Sequence, residues 1–102
     1  MHLDVNGSES FEDPSIDEIR TAVGGLGDDE FAILSREDED YVQAYRNAEN
    51  DYQLEYRAGS DDEHYGCATN ELTNVDIQNA FAAFAEGGPD WQAAWTWHKM
   101  DI

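Results

Sequence analysis

The stretch from Leu72 to Phe84 commits this chain to an amphipathic helix, and that helix limits what the remaining residues can build. Thr73 stands where an N-cap is needed and Asp76 at the third helical position, so backbone N–H groups left free by the first turn meet side-chain oxygens. Leu72 can close over Ile77 as a hydrophobic staple. Ile77, Ala80, Phe81 and Phe84 follow at the spacing of one helical face. Such a stripe is stable only against another apolar surface, and Gly87, Gly88 and Pro89 end the helix behind it.

A second capping box, Ser15 with Glu18, opens an earlier helix just after Pro14. Ile16, Ile19, Val23 and Leu26 share its apolar face, and Gly24, Gly25 and Gly27 stop it. The segment between the helices reads as strands. Phe31 to Ser35 is a short apolar run with Phe31 and Ile33 on one face. Arg36 to Asp40 carries four consecutive acids whose mutual repulsion predicts a solvated hairpin loop.

Tyr41 to Arg46 and Tyr52 to Arg57 then pair antiparallel across Asn47 to Asp51. In the second of these, Tyr52, Leu54 and Tyr56 face one side and Gln53, Glu55 and Arg57 the other. Gly59 to Asp62 predicts a turn, Glu63 to Ala68 a fourth strand, Asp90 to Ala94 one helical turn, and Trp95 to Ile102 a last strand with Trp95 and Trp97 on one face. No βαβ alternation calls for a parallel sheet. The expectation is an α+β domain over residues 14–102, an antiparallel sheet of four to five strands packed against two helices. Residues 1–13, polar and acidic, read as a flexible tail from which Phe11 reaches the body.

Charge is the strongest restraint on function. Twenty-four Asp and Glu against five Lys and Arg leave a formal charge of -19, which repels nucleic acid and anionic lipid and favours a basic partner or a cation. The excess is uneven: residues 1–40 hold 13 acids and two arginines, residues 71–102 five acids and one lysine. Apolar residues at 40% supply enough burial to keep such a chain folded. No apolar run is long enough for a bilayer-spanning helix, and the N-terminus lacks the pattern of a signal peptide. The single cysteine, Cys67, cannot form an internal disulfide and fits a reducing compartment, so a cytoplasmic location is expected.

Motifs of chemistry are missing where they would be informative. His64 and Cys67, with His98, supply too few thiols for a structural zinc site, and Cys67 reads as a small core residue. The acid clusters Asp28–Glu30, Glu37–Asp40 and Asp61–Glu63 do not follow the spacing of a calcium loop. There is no nucleophile elbow, zinc-protease helix or phosphate loop, so neither a catalytic residue nor a cofactor or metal is expected. The five tyrosines and three tryptophans are assigned mainly to core packing. A strand face whose tyrosines no helix covers would be a binding candidate.

The succession of a capped helix, G-G-L-G-D-D, the strand F-A-I-L-S, then Y-V-Q-A-Y-R, Y-Q-L-E-Y-R-A-G and W-T-W-H-K-M-D-I resembles small stand-alone acidic bacterial proteins of the toxin-immunity type, over about residues 14–102. That resemblance implies a non-enzymatic protein that occludes a toxin and carries over no individual functional residue. A basic protein partner, such as a nuclease or deaminase toxin, is accordingly expected. Asp28, Asp29, Glu30, Glu37, Asp38, Glu39 and Asp40 would steer it, and Tyr41 and Tyr45 would supply the contact centre. Two competing readings are a mimic of duplex DNA that binds a DNA-binding protein, and a salt-adapted acidic domain or small enzyme.

Overall fold

The computed structural model describes residues 1–87 and 91–100. Among these residues seven strands form one antiparallel sheet: β1 (His2–Val5), β2 (Glu9–Glu12), β3 (Phe31–Glu37), β4 (Asp40–Ala48), β5 (Asp51–Ala58), β6 (His64–Cys67) and β7 (Trp97–Lys99), in the order β2-β1-β3-β4-β5-β6-β7. The helices α1 (Ile16–Gly24) and α2 (Asn74–Glu86) lie on one side of it. The domain is α+β as expected.

The sheet is wider than expected because residues 1–13 are not a tail. Val5 to Ser8 form a turn in which Ser8 N–H donates to the Val5 carbonyl at 3.1 Å. Its central residues Asn6 and Gly7 sit at φ 58° and 69°, the left-handed pair that a tight hairpin requires. Leu3 and Val5 alternate into the core at 0% and 7% exposure, and β1 pairs with β3 through Leu3↔Leu34 and Val5↔Ala32. Two strands are thereby added to the four or five expected.

Both helices start where their caps predict. Ser15 and Glu18 complete one capping box, Thr73 and Asp76 the other, and Gly87 closes α2 in the left-handed conformation. Ile19 and Val23 of α1 and Ile77, Ala80, Phe81 and Phe84 of α2 pack on Leu3, Leu34, Val42, Ala44, Tyr52 and Leu54 of the sheet. Asn74 ties the layers together: its amide donates to the Val23 carbonyl, which also accepts from the Leu26 N–H at 3.1 Å, and to the Tyr52 hydroxyl, both amide bonds being 2.9 Å. Among the described residues no helix is long and apolar enough to cross a membrane.

Several boundaries differ from expectation; β4 and β5 run to Ala48 and from Asp51, so the expected turn Asn47–Asp51 shrinks to Glu49 and Asn50. β3 continues to Glu37 and β4 begins at Asp40, so only Asp38 and Glu39 remain as the turn. Along β3 the core side is Ala32 and Leu34, which places Phe31 and Ile33 on the opposite face. The last strand begins at Trp97 because Trp91–Ala94 form a 3-10 turn that folds the chain back. The expected Gly88 and Pro89 stop, Asp90, and the end of the last strand at 101–102 lie outside the described residues.

Two helices cannot roof seven strands. Six strand spacings of about 4.8 Å make a sheet about 29 Å wide, whereas two packed helices cover about 20 Å. At the β6–β7 end the difference is filled by aromatic rings. Tyr56 lies 5.1 Å from Trp91 and 4.8 Å from Trp97, and Phe84 lies 5.6 Å from Trp91, all edge to face. At the β1–β2 end nothing comparable among the described residues fills it, and a groove of about 540 Å³ remains between the hairpin and α1.

Candidate functional site

Opposite the helices, the face of the central β3–β4 hairpin is covered by no helix among the described residues. The register sets Phe31 beside Tyr45, Ile33 beside Gln43 and Ser35 beside Tyr41, and all six side chains point to this face because Ala32, Leu34, Val42 and Ala44 point to the other. Each of the six is half-buried. The acids singled out in the sequence flank this strip. Asp28–Glu30 precede β3, Glu37–Asp40 surround the opposite turn, and a strand of seven residues sets the two groups about 20 Å apart. They are two poles with aromatic rings between them rather than one acidic patch.

The first pole is held rigidly. Asp29, at φ 63°, donates its backbone N–H to the Arg46 carbonyl at 2.7 Å, and the Arg46 N–H returns a 2.9 Å bond to the Glu30 carbonyl. Glu30 accepts from the Gly27 N–H at 2.6 Å and from the Asn6 amide at 3.1 Å. Arg46 Nε lies 3.4 Å from Asp28 Oδ1, near enough to pair the charges but without hydrogen-bond alignment. The Tyr45 hydroxyl donates to Asp29 at 3.0 Å. At the second pole Arg57 donates to Glu39 at 2.7 Å and Arg36 reaches Asp40 at 3.5 Å, while Glu37 and Asp38 meet no cation among the described residues.

A polar chain runs beside the strip. The Gln43 amide donates to Glu55 Oε1 at 3.2 Å, His64 Nε2 lies 2.8 Å from the same oxygen, and Arg57 Nε donates to His64 Nδ1 at 3.2 Å. His64 is 3% exposed, with Tyr41 edge-on to it at 6.0 Å. The donor on Nδ1 assigns the ring hydrogen to Nε2, so both nitrogens are occupied and neither lone pair is offered to a substrate. The ring braces Arg57 and Glu55. The available sequence signal was the period-2 placement of Glu55 and Arg57 on the side of β5 away from Leu54.

The arginines are all committed internally. Arg20 donates to Asn79, Arg36 to the Phe84 carbonyl at the end of α2, Arg46 to the Leu26 carbonyl and Arg57 to Glu39. Among the described residues they pair with just three carboxylates, Asp28, Glu39 and Asp40, so most of the acid charge faces outward. No three His, Cys, Asp or Glu side chains of the described residues converge as a metal site, and Cys67 packs in the core.

Four tyrosines give the fold a pH signature. A hydrogen bond to Asp29 raises the pKa of Tyr45, and one to Glu63 raises that of Tyr65. Burial raises Tyr41 and Tyr56, with Glu39 and Glu55 adding to the first and Glu63 to the second. Above about pH 10 the unfolded chain releases phenolic protons that the folded protein retains. Stability is therefore complete below the ordinary tyrosine value and falls as pH rises through the raised folded values. Urea midpoints should drop between about pH 9 and about pH 11, and less so in Tyr45→Phe; an identical drop in that variant would remove Tyr45 from the account.

No family model, curated protein or solved structure matches the chain.

Proposed function

We propose that this chain is a non-enzymatic binding domain that docks a basic protein on the helix-free face of β3–β4, as an acidic inhibitor of a basic toxin or nuclease would. The observation that carries this reading is the placement of Tyr41 and Tyr45 on one uncovered face between two acidic poles. The -19 field draws a basic partner in from a distance, and the poles orient it. The aromatic strip then supplies rings that can be desolvated at the centre of a contact. A mimic of duplex DNA is less well supported, because Phe31, Tyr41 and Tyr45 stand on this face between the two acidic groups.

The test is capture of basic proteins by the wild type and by a Tyr41→Ala/Tyr45→Ala variant, followed by stopped-flow measurement on any captured partner. Association should slow at least about tenfold between about 0.01 M and about 0.15 M salt, and the variant should dissociate about tenfold or more faster. A partner held equally well by both proteins would place the contact elsewhere. Salt-independent association would remove the steering.

A further inference from the structure

The groove between the N-terminal hairpin and α1 has a floor and two ends of different chemistry. Val5, Phe11, Ala22 and Leu26 form the apolar floor. β2 and α1 run along it in opposite directions, which sorts the acids. Glu9, next to the β1–β2 turn, and Glu30, bonded to Asn6 of that turn, stand at one end; Asp17 and Glu18, in the first turn of α1, stand at the other. One carboxylate at each end is fixed in place, Glu30 by the Gly27 N–H and Glu18 by the Ser15 N–H at 2.9 Å. No Lys, Arg or His lines the groove.

We propose that this groove binds a free linear aliphatic polyamine, with a terminal ammonium at each carboxylate pair and the methylene chain along the apolar floor. The length fits. From Glu18 to Gly25 the helix rises about 10 Å, and an extended chain of nine single bonds between terminal nitrogens, as in spermidine or α,ω-diaminooctane, spans about 11 Å. A volume of about 540 Å³ lies in the range of small-molecule sites. Burying a charged amine requires a partner at its head, and burying methylenes requires an apolar wall; the groove offers both in the order such a ligand presents them. The site lies on the helix side of the sheet and shares only Glu30 with the acidic pole that precedes β3.

Two dications of equal charge separate this site from diffuse attraction to an acidic surface. By titration calorimetry at about 0.15 M salt, α,ω-diaminooctane should bind about tenfold or more tighter than α,ω-diaminobutane, whose nitrogens are only about 6 Å apart. Spermidine should bind at least as well as diaminooctane. Glu9→Gln/Asp17→Asn, at two exposed acids outside any hydrogen bond of the fold, should abolish the length preference, and Asp61→Asn/Asp62→Asn, with the same change in charge, should leave it intact. Equal affinity for the two diamines, no binding of either, or equal loss in both double variants overturns the proposal.

Discussion

Leu3→Ala is expected to destabilise the domain by about 2–5 kcal/mol, as much as truncating a leucine anywhere in the core. The side chain is 0% exposed and sits between Phe11 on β2 and Leu34 on β3, under the helices. Removing it leaves a cavity that the surrounding sheet can only partly close, and the cost is the lost transfer of three carbon atoms plus that cavity. If residues 1–13 were a tail, the same change would cost less than about 0.5 kcal/mol. Urea unfolding decides between these outcomes. The adjacent Asp4→Ala, on the other face of β1, is the control for the chemical change alone, although Asp4 also accepts from the Gly7 N–H at 2.8 Å and will cost about 1 kcal/mol. A small effect at Leu3 would detach the hairpin from the sheet and take the groove with it.

The hairpin was legible. Leu3 and Val5 alternate with polar residues directly before Asn6-Gly7, the dipeptide best suited to a tight hairpin, and the weight of nearby acids concealed the signal. The helices were read to their caps because a capping box is a local event: Ser15 and Thr73 find their partners three residues on whatever the rest of the chain does. The strand faces were harder. In β3 both Phe31-Ile33 and Ala32-Leu34 are apolar, so alternation alone could not say which pair meets the helices; pairing with Val42 and Ala44 settles it.

Tyr41 and Tyr45 stand four residues apart on one strand, a spacing that sets them on a shared face. That this face lacks a helix depends on where α1 and α2 pack, which no local pattern specifies. The His64 chain needed β4, β5 and β6 side by side before Gln43, Glu55, His64 and Arg57 became neighbours. The ends of the groove likewise follow from topology: Glu9 and Glu30 are 21 positions apart in sequence and meet only because the β1–β2 turn returns to the start of β3.

Folding stability should rise with salt while partner association slows, two opposite responses from the same charge. Compaction brings the carboxylates from an unfolded radius of gyration of about 30 Å to 12.4 Å. Two like charges about 10 Å apart in water repel by about 0.4 kcal/mol, and the few arginine pairs offset only a fraction of such terms. At about 0.01 M salt the screening length of about 30 Å exceeds the 28 × 28 × 23 Å body, so every carboxylate feels the others; at about 1 M it shrinks to about 3 Å and only direct neighbours interact. The stability measured in urea, which adds no ions, should gain more than about 1 kcal/mol across that range. A flat or falling profile would show the repulsion to be as large in the unfolded chain. In that case the fold is indifferent to its charge, and partner steering becomes the remaining reason for carrying so much of it.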